Sequence, residues 1–224
     1  MQFDGFYFLS TFVPLLEYLP VTLLVSVEVV VLAFVLGVIL SSFTLSRFNL
    51  LNLISSIYRS IFRSIPAVAL IFLSYYGLPQ IFPVLKGVVA EQMVVLSLGA
   101  KYAAYMAETF RSAVQSVDRG QLEAASTLHI PERKYLLKVM LPQTAVNALP
   151  AFGNYVTGIL KESSLVFVIG VTDLFGEGKL LAGASFKYLE VYTAVAIIYW
   201  TIVSLYSLFQ SVLEEYLGRY EVSS

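Results

Sequence analysis

The sequence predicts an all-α integral membrane protein with five transmembrane helices and a two-helix cytoplasmic loop between the third and fourth. Three observations predict it. Of the 224 residues, 58% are hydrophobic and 13% charged, against about 25% charged in a soluble domain, and the mean hydropathy is +0.79. Several stretches reach the roughly 20 apolar residues that cross a hydrocarbon core. Finally, most cations collect in loops that an alternating path places on one side. A single transmembrane domain, residues 1–224, accounts for the chain; no linker, low-complexity tract or convincing internal repeat interrupts it.

The first span runs over 18–46 and is interrupted only by Glu28. The second covers 53–76, with a kink at Pro66 and an end in the turn-like Tyr76-Gly77-Leu78-Pro79. Residues 92–114 make the third and least apolar span, because Lys101, Glu108 and Arg111 lie inside it. Its Gly99, Ala103 and Ala107 recur every four residues, the spacing that lets two backbones approach closely in lipid. Spans four and five cover 139–160 and 191–212; Ser163 to Thr172 is uncharged but too short to cross and reads as re-entrant or interfacial. Arg47, Arg59, Arg63, Arg111, Arg119, Arg133, Lys134, Lys138 and Arg219 fall on one side, against Lys86, Lys161, Lys179 and Lys187 on the other. The positive-inside rule then places the N-terminus outside and the C-terminus in the cytoplasm.

Composition also excludes several chemistries. With no cysteine and one histidine there is no disulfide framework, no Cys-based zinc site and no thiol nucleophile. The 14 Lys+Arg and 15 Asp+Glu nearly cancel, which argues against a nucleic-acid partner. Residues 1–11 carry Asp4 and no cation, so the positive n-region of a cleavable signal peptide is missing.

The loop, residues 115–138, carries the most information. Asp118 can cap a helix whose third position is Gln121, a variant capping box, and that helix should end near Leu128. Pro131 suits the first turn of a second helix, in which Tyr135, Leu136, Val139 and Met140 form an apolar stripe. Two short helices at a steep angle, lying on the membrane surface, are expected. A plain interfacial anchor is the alternative.

Glu123-Ala124-Ala125, followed nineteen residues after Glu123 by Pro142 in Val139-Met140-Leu141-Pro142, resembles the EAA loop of membrane subunits of ATP-binding-cassette importers. Four further segments resemble the polar amino acid uptake permeases. They are Arg63-Ser64-Ile65-Pro66, Tyr75-Tyr76-Gly77-Leu78-Pro79, Ala104-Tyr105-Met106-Ala107-Glu108-Thr109-Phe110-Arg111, and Leu160-Lys161-Glu162-Ser163-Ser164-Leu165 with Val168-Ile169-Gly170-Val171. The resemblance runs from about Thr22 to Arg219. It implies a multi-pass permease in a bacterial-type inner membrane, working with a cytoplasmic ATPase dimer, a second permease chain (identical or related), an extracellular or periplasmic solute-binding protein and an amino acid substrate. It further implies that the loop's first helix docks on the ATPase through Gln121, Glu123, Ala124, Ala125 and the corner at His129. This chain needs no cofactor; ATP and Mg belong to the partner. It lacks a Gly-x4-Gly-Lys-Ser/Thr loop, and Gly176-Glu177-Gly178-Lys179 has neither the spacing nor the hydroxyl. Such loops usually carry Gly where this chain has His129, so a differently shaped corner is expected.

Charges inside spans are costly and point to function. Glu162, beside Lys161, is either a substrate contact or part of an interfacial charge pair. Glu108 and Arg111 are one turn apart and read as an intrahelical ion pair. Lys101 is expected to neutralise Glu28, ahead of a substrate role. Arg63 is a snorkelling anchor or a ligand contact, and Asn154 and Tyr155 either bond a ligand or pack inside. His129 is a corner residue, not a metal ligand. A self-sufficient channel or secondary transporter using Glu28, Lys101 and Glu162 is the competing class.

Overall fold

The computed structural model describes residues 3–222; every regular element is helical, with no strand among the described residues. Met1, Gln2, the last two residues and the side chain of Arg219, counted above as a cytoplasmic cation, lie outside them. The chain opens with two short helices, α1 (Gly5–Ser10) and α2 (Phe12–Glu17), which the sequence reading did not anticipate. The Asp4 carboxylate caps α1 by accepting the Tyr7 N–H at 3.0 Å. α3 (Leu19–Thr44) follows and fills the first expected span.

The second expected span is broken rather than kinked. α4 (Asn49–Ser64) meets the segment Ala67–Ile81, which opens with α5 (Ala67–Phe72), at a bend of 108°. Pro66 has no N–H to continue the ladder and forces Ile65 into extended backbone (φ −87°, ψ 132°). The end of the segment differs as well. Tyr76-Gly77-Leu78-Pro79 does not terminate the helix: a π turn, Leu73–Gly77, leads into α6 (Leu78–Ile81). The Leu78 N–H reaches back five residues to the Leu73 carbonyl, and the widened turn accommodates Pro79 at the next position.

α7 (Ala90–Gln115) covers the third expected span and packs along most of α3. Small residues make that approach possible. A Cβ on Gly37 would stand 2.8 Å from the Met106 Cβ and one on Gly99 2.6 Å from Leu32 Cδ2, while Ala103 and Ala107 are fully buried. Gly37→Val should therefore cost about 1–3 kcal/mol by overpacking. Thermal unfolding in detergent would register it, and an unchanged midpoint would show that the two helices are not locked there.

After the loop helices α8 (Arg119–Thr127) and α9 (Glu132–Tyr135), a second π turn, Leu136–Met140, joins α9 directly to α10 (Leu141–Glu162). Again the turn precedes a proline, Pro142, and again an N–H, that of Leu141, reaches back five residues, to Leu136. The second loop helix thus runs without a break into α10, the helix over the fourth expected span. Ser163–Ile169 forms a 3₁₀ segment ending at Gly170 (φ 90°). α11 (Leu174–Ser185), also unanticipated, and α12 (Tyr188–Val222) complete the chain.

Two apolar cores organise these helices. The larger joins Val25, Val29 and Ala33 to Leu98, Met106, Ile159 and Val166; the smaller joins Leu15 to Leu174, Ala182, Val191 and Val195. Polar ties fix their edges. Asp173, completely buried, caps α11 through the Gly176 N–H at 2.8 Å and accepts the Thr22 hydroxyl at 3.2 Å. Burial pushes its carboxyl above the usual range, and those two bonds oppose the shift. Near α12, Lys187 pairs with Asp4 at 2.5 Å and lies 4.3 Å from the Tyr7 ring centre, while the Asp4 N–H donates to Glu190 at 3.0 Å. The Lys187 ammonium holds the Asp4 carboxyl below its ordinary value, and the Asp4 N–H does the same for Glu190.

Candidate functional site: a charged tyrosine-lined face and a docking loop

One side of α7 presents Lys101, Tyr105 and Glu108 at helical spacing, and α10 lies against it. Lys101 Nζ stands 3.6 Å from Glu162 Oε2. The expected Lys101–Glu28 pair is not formed: Glu28 is exposed on α3 with no ion-pair partner among the described residues. The register of α7 against α10 decides this, bringing the last residue of α10 to Lys101. At 3.6 Å the contact is coulombic rather than hydrogen-bonded, and the buried Glu162 Oε2 has no hydrogen-bond partner. Lys161 projects outward, so the adjacent residues do not pair with each other.

Three tyrosines of α7 and α10 cluster together. The rings of Tyr102, Tyr105 and Tyr155 lie 6.0–6.2 Å apart, centre to centre. The Tyr155 hydroxyl bonds Thr109 at 2.9 Å, so it serves the α7–α10 contact, while Asn154 is exposed. A Cβ on Gly158 would come within 2.7 Å of the Tyr102 hydroxyl, so glycine there lets the phenol lie against α10. Towards the C-terminal end of α7, Glu108 binds Arg111 as expected and also Arg59 of α4, a tie that sequence spacing does not reveal. The Arg63 guanidinium carbon sits 5.5 Å over the Tyr105 ring, and the Tyr105 hydroxyl donates to the Arg63 carbonyl at 3.4 Å.

The loop divides the five residues expected to dock. Asp118 caps α8, but through the Gly120 N–H at 2.9 Å, and Gln121 does not reach back to complete a capping box. Its amide instead pairs with Gln143 of α10, at 2.8 and 3.4 Å in the two directions. Ala125 is buried against the chain's own body, whereas Glu123, Ala124 and His129 are exposed beside Leu122 and Leu128. The outward face is therefore Glu123 and Ala124, with His129 at the corner.

That corner is not reshaped by the histidine. His129 adopts φ 54°, and its N–H reaches the Ser126 carbonyl at 3.0 Å while the Ile130 N–H reaches Ala125 at 2.9 Å, the two bonds of a Schellman motif. The paired bonds hold a left-handed residue that a side chain disfavours by about 1 kcal/mol or more. His129→Gly should raise the thermal midpoint, by a stabilisation of about 0.5–1 kcal/mol. A lower midpoint would mean that the imidazole itself makes a stabilising contact.

Residues 33–218 match the family described as binding-protein-dependent transport system inner membrane component. "Probable amino-acid permease protein YxeN" of Bacillus subtilis (strain 168) is 39% identical over 216 residues, 96% of each chain. The L-cystine transport system permease protein TcyL of the same organism is 35% identical, covering 94% of this chain and 90% of its own. Among solved structures, that of an amino acid ABC transporter with histidines superposes with a TM-score of 0.87 at 29% identity, over 96% of this chain and 99% of the other. With five-sixths of its length inside the family's bounds and relatives matched end to end, this chain belongs to the inner membrane components of binding-protein-dependent transport systems.

Proposed function

We propose that the chain is the membrane-spanning permease of an ATP-driven amino acid importer. In this reading it crosses the membrane five times, over 18–46, 53–76, 92–114, 139–160 and 191–212, with its N-terminus outside and its C-terminus in the cytoplasm. The broken α4–α6 unit counts as one crossing. A second permease, identical or related, completes the path, and a solute-binding protein delivers the amino acid from outside. A cytoplasmic ATPase dimer binds ATP and Mg and grips the exposed edge of α8 at Glu123 and Ala124.

The arrangement around Glu162 carries the reading. A zwitterion needs an anion for its ammonium, and Glu162 Oε2 offers an acceptor that meets Lys101 through a coulombic contact at 3.6 Å. An incoming ammonium can replace Lys101 there without breaking a good hydrogen bond. The tyrosines supply faces for the rest of the solute, and the relatives' amino acid cargo supports the same class.

Reconstitution into vesicles with a partner ATPase and a solute-binding protein tests the proposal. Uptake should require ATP on the ATPase side and both partners. Uptake driven by an ion gradient, without the ATPase, would overturn it and favour the secondary-transporter class.

A further inference from the structure

Near the loop end of the bundle, α3, α7 and α10 leave an apolar groove of about 470 Å³ between them, within the size range of ligand pockets. Val38 and Leu45 of α3 form one wall and Leu141 and Ala145 of α10 the other, and all four are exposed. Three phenyl rings stop the far end: Phe34 meets Phe110 and Phe152 edge-on, with ring centres 5.6 and 5.9 Å apart. The Ser42 and Thr144 hydroxyls on the walls bond back to carbonyls of their own helices, at 2.9 and 2.8 Å. The 11 residues from Phe34 to Leu45 rise about 16 Å, close to half of a hydrocarbon core of about 30 Å. The groove is therefore about one leaflet deep.

Its open end carries uncompensated charge. Arg47 lies two residues beyond Leu45, and Lys138 lies one turn before Leu141. Both are exposed, and neither has an ion-pair partner among the described residues. No Asp or Glu falls between Glu28 and Glu91 or between Glu132 and Glu162, so neither wall brings a counter-ion. On α7, Glu108 is already taken by Arg59 and Arg111. An apolar trough with two cations at its mouth complements a lipid with an anionic head. A second copy of the chain fits this face less well: meeting it through the same segments, the copy would set cations against cations.

We propose that this groove holds an acyl chain of an anionic phospholipid of the cytoplasmic leaflet, with the phosphate at Arg47 and Lys138. The proposal goes beyond the importer reading and takes from it only that this end is cytoplasmic. Its test has no transport readout, so a failed uptake assay leaves it standing.

The purified chain, stripped of lipid in detergent, is titrated with dioleoyl phosphatidylglycerol or dioleoyl phosphatidylcholine, and retained lipid is counted by native mass spectrometry. The two lipids share their acyl chains and differ in net charge. Wild type should retain one phosphatidylglycerol and bind it about 10- to 30-fold more tightly than phosphatidylcholine, the scale of two cations acting on one anionic head. Replacing both cations, Arg47→Gln with Lys138→Gln, should abolish that preference while a lipid is still retained. Ala145→Trp, which fills the groove from an exposed position, should abolish retention of both lipids. Equal binding of the two lipids by wild type overturns the proposal, as does an undiminished preference in the double variant or full retention in Ala145→Trp. Where Ala145→Trp does not fold, the double variant, changed only at exposed positions, decides alone. A wild-type pair of chains that carries no lipid and falls apart in Ala145→Trp also overturns it, and makes the groove an interface between copies.

Discussion

Glu123→Arg is expected to abolish ATP-driven uptake while leaving the chain folded and inserted. The position is exposed on α8, where substitutions cost little stability. Its surroundings do not depend on it: Asp118 holds one end of α8, the Schellman bonds hold the other, and Gln121 fastens the middle to α10. Reversing the charge therefore alters the docking surface without altering its shape. Truncating one partner of a docked charge pair costs about 2–5 kcal/mol, and reversal adds repulsion, so uptake should fall by well over tenfold. Co-purification of the ATPase and solute-stimulated hydrolysis should fall with it. Normal transport by this variant would remove α8 from the coupling path.

Glu162→Gln is expected to raise the half-saturating solute concentration by about tenfold or more, the loss of one charged hydrogen bond. Effects on affinity or preference should exceed those on basal hydrolysis. The variant also leaves Lys101 without its anion, so Lys101→Met serves as the control. If Glu162 reads the ammonium, Lys101→Met removes its competitor and should tighten solute binding or leave it unchanged. A loss of equal size in both variants would mean that the pair is structural.

Most of the helical plan was legible because its signals are local. α3, α7, α10 and α12 are helices over the segments read as spans one, three, four and five, of which α3 and α12 are long and apolar enough to cross a membrane, and Glu108–Arg111 follows from spacing on one helix. What escaped depends on register between distant segments. Lys101 meets Glu162 rather than Glu28, Asp4 meets Lys187, and Thr22 meets Asp173 across 151 residues; no local pattern carries those pairings. Pro66 announced an interruption, but its severity depends on how α4 and α5 each pack on α7. The cap at Asp173 was readable, since an acid three residues before Gly176 at the head of an apolar run is an N-terminal signal. The corner at His129 shows the limit of propensity, because two backbone bonds outweigh the preference of one side chain.

Because α9 runs through its π turn into α10, residues 132–162 form one continuous helical rod, carrying Pro150 within it, with the loop corner at its base and Glu162 at its tip. At 1.5 Å per residue the rod is about 45 Å long, so a tilt of only about 5° swings its tip by about 4 Å. A swing of that size is enough to carry Glu162 away from Lys101. If the proposed ATPase docks on α8, it need not reach into the bilayer: by rocking this lever from below it would open and shut the foothold proposed for the solute.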